Sequence, residues 1–139
     1  MYKNKSLSKL MFAAFTIASI FLFSSCAKKI AFETSSVVPA ARGNVTVKKD
    51  KNNNYAIKMQ LSYLAEPNRL NPPKHTYVVW VLTENNVTQN IGQIKTSNGL
   101  KVAFETVTSF KPIRISVTAE DDSNVQYPGM TLVLTTSNF

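Results

Sequence analysis

From Gly43 onward the chain is written in short runs of alternating apolar and polar residues, and no stretch beyond the N-terminal segment carries a helical period. Side chains in a strand point to opposite faces in turn, so a period of two prescribes half-buried strands. The cleanest run is Ile113 to Glu120, where Ile113, Ile115, Val117 and Ala119 alternate with Arg114, Ser116, Thr118 and Glu120. Asn, Gly, Pro and Asp break the runs at intervals typical of antiparallel β proteins. The pattern predicts seven strands and an all-β, immunoglobulin-like β-sandwich, with a small barrel as the second choice.

The expected strands are Asn44 to Lys49, Tyr55 to Leu64, Tyr77 to Leu82, Ile91 to Thr96, Leu100 to Thr106, Ile113 to Glu120 and Met130 to Thr136. In the second, Tyr55, Ile57, Met59, Leu61 and Tyr63 form the apolar face; in the fifth, Leu100, Val102 and Phe104 are expected to point inward. Gly92 marks a bulge or a close backbone approach, and Ser97-Asn98-Gly99 a hairpin turn. Ala65 to His75 contains Pro67, Pro72 and Pro73, which remove ladder donors, so it is a crossing loop.

Tyr77-Val78-Val79-Trp80-Val81-Leu82 is apolar on both faces, which places it centrally and requires a cover on its outer side. Two covers are available: the proline loop through Leu70, or another molecule. In the second case Tyr77, Trp80 and Leu70 would form an interaction surface; in the bland reading Trp80 is a core residue.

Before this domain, a run of 13 apolar or small residues from Met11 to Phe23 follows Lys3, Lys5 and Lys9 and ends in Ser24-Ser25-Cys26. It is shorter than the roughly 20 apolar residues a bilayer span needs. A cationic start, an apolar middle and a small-residue end are the marks of a secretory signal. With the only cysteine of the chain at its end, the segment resembles a bacterial lipoprotein signal. The resemblance implies cleavage between Ser25 and Cys26, acylation of the Cys26 thiol, and anchorage in membrane lipid. Alanine at position 27, where a retention aspartate stands in many lipoproteins, together with the absence of the acidic stretch some bacteria use for surface display, favours the periplasmic face of the outer membrane over the inner membrane or the cell surface. The domain plan is then 1–25 signal peptide, 26–42 lipidated flexible tether, and 43–139 β-sandwich.

Without residues 1–25 the chain holds 13 basic and 8 acidic side chains, a net charge of +5. The lysines are scattered and no aromatic sits in a basic, Gly-rich nucleic-acid motif, so no nucleic-acid partner is expected. With one thiol there is no disulfide, and stability must come from packing.

The order of Tyr77-Val78-Val79-Trp80, Ile91-Gly92-Gln93-Ile94 and Ile115-Ser116-Val117-Thr118-Ala119-Glu120, closing on Pro128-Gly129, resembles the extracytoplasmic C-terminal domain of anti-sigma-K factors over about residues 43 to 136. That resemblance implies a sandwich acting at the envelope as a sensing or protein-binding module. The sigma-binding and transmembrane parts of that family have no counterpart in the sequence, so sigma binding is not implied.

Catalytic and metal motifs are weak. His75 is the only histidine, and it lacks a second histidine or thiol to complete a zinc site. Glu120, Asp121 and Asp122 lack EF-hand spacing. Neither a Gly-x-Ser-x-Gly elbow nor a glycine-rich phosphate cradle is present. The expectation is a non-enzyme without cofactor or metal, binding another envelope protein or serving as an accessory scaffold.

Overall fold

The computed structural model describes residues 27–96 and 100–139. Ser25, Cys26 and the turn at 97–99 lie outside the described residues, so the lipidation and cleavage assignments and the predicted hairpin turn rest on the sequence alone.

The described chain is all-β, a sandwich of two antiparallel four-stranded sheets. It has eight strands among the described residues: β1 Lys28–Ala31, β2 Arg42–Lys49, β3 Tyr55–Ser62, β4 Thr76–Thr83, β5 Thr88–Ile94, β6 Lys101–Thr108, β7 Pro112–Glu120 and β8 Leu132–Thr135. The first sheet runs β1-β2-β3-β6 and the second β5-β4-β7-β8. Pairing of β3 with β6 and of β4 with β7 makes the chain alternate between layers, which is the crossing pattern of an immunoglobulin-like sandwich.

Alternation fixes which side chains meet between the sheets. Val45, Val47, Ile57, Met59 and Leu61 come from the first sheet, and Tyr77, Val79, Val81, Ile115 and Val117 from the second. Each such aliphatic side chain contributes about 1.5–3 kcal/mol when fully buried. The β2–β3 turn is held by Asp50, whose Oδ1 accepts from the backbone N–H groups of Asn52 at 2.8 Å and Asn54 at 2.9 Å. These bonds, with that from Asn54 foremost, hold its carboxyl below the ordinary value of 3.8. Between them Asn53 takes the left-handed conformation, φ 63°, that asparagine tolerates.

The eighth strand corrects the expected tether. Lys28–Ala31 pairs antiparallel with β2, and Ile30 enters the core. The following segment is also built in: the Val38 N–H donates to Ser35 Oγ at 2.9 Å, and Val38 and Ala41 are buried. One apolar residue between exposed Lys29 and Ala31 is enough, because β2 already offers an open edge and a half-filled core behind it. Beyond β1, Phe32 bridges to Thr136, and the Glu33 N–H donates to the Thr135 carbonyl at 2.9 Å. This closes the sandwich on the β1/β8 side.

Most strand ends shift by one to three residues from the expected bounds, and two of these shifts leave an expected core residue outside the core. Tyr63 leaves the ladder with φ 59° and is 51 % exposed, its ring lying 5.0 Å from the Arg42 guanidinium. That left-handed residue ends β3 at Ser62, so the β3–β6 ladder begins at Lys101; the Tyr63 N–H still donates to the Leu100 carbonyl at 3.3 Å, while the Leu100 side chain stands outside the core at 58 % exposure.

Gly92 meets both of its expectations. A bulge lies in the β4–β5 register between Val79 and Trp80, and Gly92 sits there at φ 137°. A Cβ on Gly92 would fall 3.0 Å from the Phe104 ring of β6, which packs across the gap between the sheets.

Candidate functional site

The cover of the Trp80 strand decides what this surface can do. Tyr77, Val79 and Val81 face the core, so Thr76, Val78, Trp80 and Leu82 lie on the opposite face of β4. Yet Val78 and Trp80 are fully buried. The β7–β8 connection, residues 121–131, supplies the cover. It leaves β7 at Glu120, reaches β5 on the far side of β4, and returns to β8, so it must cross the outer face of β4.

Two polar clasps pin that crossing. On β5, Asn90 Nδ2 donates to the carbonyls of Ser123 at 2.8 Å and Val125 at 3.0 Å, while its Oδ1 accepts from the Gly92 N–H at 3.0 Å. On β7, Glu120 is buried and its Oε1 accepts from the Gly129 N–H at 2.7 Å and from Thr118 Oγ1. Thr118 Oγ1 in turn accepts from Trp80 Nε1 at 2.7 Å. The indole, the hydroxyl and the carboxylate form one chain of hydrogen bonds beneath the loop, as buried polar groups require. Gly129 suits its place because a Cβ there would lie 2.6 Å from Glu120 Oε2.

Tyr77, Trp80 and Leu70 therefore do not form an interaction surface. Tyr77 and Trp80 are fully buried, Leu70 belongs to the core, and neither the proline loop nor a second molecule is the cover. The Tyr77 hydroxyl donates to the Ala65 carbonyl at 2.8 Å, tying the crossing loop to β4. Burial, with a smaller effect from Glu66, pushes its phenol up to about 12.

What remains open is the other side of the sandwich. β5 and β6 are the last strands of their sheets, and they face each other across the gap that Phe104 fills. An edge strand presents unpaired backbone N–H and C=O groups and can accept a further strand. Beside β5 lies a cleft of about 610 Å³ lined by Thr88, Gln89, Asn90, Gly92, Gln93, Ser123, Asn124 and Gln126. Its walls hold amides, hydroxyls and backbone, with no ionisable side chain. Such a lining pairs with neutral donors and acceptors, above all peptide groups, and offers no acid, base or nucleophile pair for catalysis.

A second cleft of about 410 Å³ adjoins it, with Glu66, Lys74, His75, Gln93, Lys95 and Thr96 among its lining residues. His75 is exposed, and its Nδ1 lies 3.2 Å from the Asp121 carbonyl. Lys74 Nζ lies 2.8 Å from Asp121 Oδ2, and this hydrogen bond holds the Asp121 carboxyl below 3.8. Glu66 Oε2 accepts from Thr96 Oγ1 at 2.9 Å. Glu120, Asp121 and Asp122 do not converge: the first points under the loop, the second to Lys74, and the third caps the Asn124 N–H at 2.8 Å. Among the described residues no group of three His, Cys, Asp or Glu side chains is placed to hold a metal ion.

The sequence reading missed Asn90 and the folded-back loop. The one signal was compositional: two amide-rich stretches, Gln89-Asn90 with Gln93 and Asn124 with Gln126, separated by the two strands β6 and β7. No family model matches this chain, and no curated protein or solved structure matches it.

Proposed function

We propose that this chain is a lipid-anchored, non-catalytic envelope module that binds another envelope protein along the edge of β5. The anchor is Cys26, lipidated on its thiol and freed by cleavage between Ser25 and Cys26, and the favoured address is the periplasmic face of the outer membrane. The observation that carries the binding reading is the asymmetry of the sandwich. The β1/β8 side is sealed by backbone hydrogen bonds, whereas β5 keeps an open edge beside a cleft of neutral amides. A peptide strand laid on that edge would pair with backbone, and its side chains would meet Gln89, Gln93 and Gln126. The kinship implied by the anti-sigma-K resemblance, a sensing or protein-binding sandwich, agrees with this role.

A second reading, an accessory lipoprotein that scaffolds envelope or surface-polymer machinery, is favoured by one observation. The apolar outer face of β4 is covered by the chain itself, so that route to a partner is closed.

A photo-crosslinking residue at Gln93, in the full protein in its native envelope, separates the two. The binding reading expects one stoichiometric partner captured from Gln93 and none from a matching probe at Lys58, on the outer face of the other sheet. Absence of any Gln93 adduct, or equal diffuse labelling from both sites, overturns it in favour of the scaffold.

A further inference from the structure

Strand register places an unequal share of charge at one end of the sandwich. Lys28 is opposite Val47, Lys49 opposite Tyr55, Tyr55 opposite Thr108 and Leu82 opposite Thr88, and the Glu84 N–H donates to the Lys111 carbonyl. The start of β1, the β2–β3 turn, the β4–β5 hairpin and the β6–β7 corner therefore share one end. Six exposed lysines stand there: Lys28, Lys29, Lys48, Lys49, Lys51 and Lys111. Only Asp50 and Glu84 oppose them, and Glu84 already pairs with Lys111 at 3.1 Å. At the opposite end Lys74 is paired with Asp121, and Glu66, Glu120 and Asp122 offset most of the remaining basic residues.

This same end is where the chain arrives from Cys26. Lys28 is the first residue of β1, and its Nζ lies 5.4 Å from the Phe139 ring centroid, so the strand is fastened from its start. Two residues of fully extended chain reach about 7 Å. Whatever membrane holds Cys26 is thus within side-chain reach of the basic end. Two exposed apolar residues sit in the loops of this end, Phe110 in the β6–β7 corner at 45 % and Val87 in the β4–β5 hairpin at 49 %. Basic residues around protruding apolar ones are the arrangement that seats a protein on an anionic head-group layer.

We infer that the lysine-rich end of the sandwich is a membrane-docking face for anionic lipid, which holds the domain upright on its leaflet and turns the β5 edge and the far-end loops toward the aqueous space. The inference rests on Cys26 being the anchor.

The test uses the full, processed lipoprotein reconstituted into vesicles, with single cysteines for a nitroxide label at N52C, in the lysine-rich end, or N68C, at the far end. Acylation of Cys26 leaves the introduced thiol as the one labelling site. Nickel-chelating head groups report proximity to the bilayer surface. In vesicles of equimolar phosphatidylcholine and phosphatidylglycerol, relaxation enhancement at position 52 is expected to exceed that at position 68 several-fold. The ratio should fall toward unity in pure phosphatidylcholine, in the K48E/K49E/K51E variant, and at an ionic strength of about 1 M, where the screening length shrinks to about 3 Å. Equal enhancement at both positions in anionic vesicles overturns the inference, as does a ratio indifferent to lipid charge and salt. Mass spectrometry of the same sample separates this failure from that of the anchor: an unmodified Cys26 thiol removes the anchored reading and the docking face with it.

Discussion

Trp80 Nε1 donates to Thr118 Oγ1 at 2.7 Å on the face of the second sheet turned away from the core, and both residues are buried there. The sandwich thus has two buried layers: the usual one between its sheets, and a thinner one between the second sheet and the loop of residues 121–131. Immunoglobulin domains bury a tryptophan of the corresponding strand between their sheets. Here the indole lies on the opposite face, so a loop takes the part a facing sheet would play.

Replacing Thr118 with valine keeps the volume of the side chain and removes the hydroxyl that joins the indole to Glu120. Two buried groups then lose a partner, at about 1–3 kcal/mol each. Because Glu120 keeps the Gly129 N–H, the expected outcome lies below the full sum, a destabilisation of roughly 2–4 kcal/mol in urea unfolding with an unchanged slope. A cost below about 0.5 kcal/mol, the range of ordinary surface substitutions, would show that this hydrogen-bond chain is not part of the fold's support.

Asn90→Ala cuts the loop's clasp on β5 without touching the core. Trp80 is the sole tryptophan, so its fluorescence reads the cover directly. The variant should show a red-shifted emission and faster acrylamide quenching, with a stability loss of only about 1 kcal/mol because the freed carbonyls regain water. Gln93→Ala, on the same strand but without a bond to the loop, should leave the emission unchanged. A Trp80 spectrum identical in Asn90→Ala and the parent protein would mean that the loop holds without Asn90.

The strands were legible because their signal is local: each period-two run can be read without knowing its neighbours, and Ile113 to Glu120 needs no more than its own alternation. The need for a cover over Trp80 was legible too, since a strand apolar on both faces has no other reading. The identity of the cover was not. Asn90 and Ser123 are 33 residues apart, and nothing in either local sequence distinguishes a loop folded over the sheet from one extended into water. β1 was missed for the opposite reason: four residues with one buried isoleucine are too short to show a period, and only the open edge of β2 gives them a place. Tyr63 continues its run's alternation perfectly, yet a positive φ turns it out, a choice made by the crossing loop that follows.

The phenol of Tyr77, pushed up to about 12 chiefly by burial, sets an alkaline limit. In the unfolded chain the group ionises around its ordinary value of 10.0, so between there and about 12 the unfolded state binds fewer protons than the folded one. Its contribution is therefore whole below 10.0 and is lost as pH rises through the folded value. Thermal unfolding followed across this window should show a falling midpoint, and Tyr77→Phe should remove that part of the slope. The same variant loses the bond to Ala65 and should be about 1 kcal/mol less stable at neutral pH. An unchanged alkaline slope in Tyr77→Phe would assign the limit to another group.

Ile30 tests where the domain begins. If residues 26–42 were a tether, truncating Ile30 would cost nothing beyond the ±0.5 kcal/mol usual for exposed positions. Placed as the buried residue of β1, against the core at 9 % exposure, it should cost about 2 kcal/mol as alanine, near the low end for buried aliphatics because an edge strand can settle into the gap. Amide exchange carries the same question to the backbone. The Phe32 N–H donates to the Gly43 carbonyl at 3.0 Å, and the Glu33 N–H to that of Thr135 at 2.9 Å. Both should be protected in the parent protein and exchange faster in Ile30→Ala, while amides of β4 and β7 keep their ranking. Protection at Glu33 is the sharper reading, because its acceptor belongs to the opposite sheet. Fast exchange there in the unaltered protein would open the β1/β8 side and leave the sandwich open on both sides instead of one.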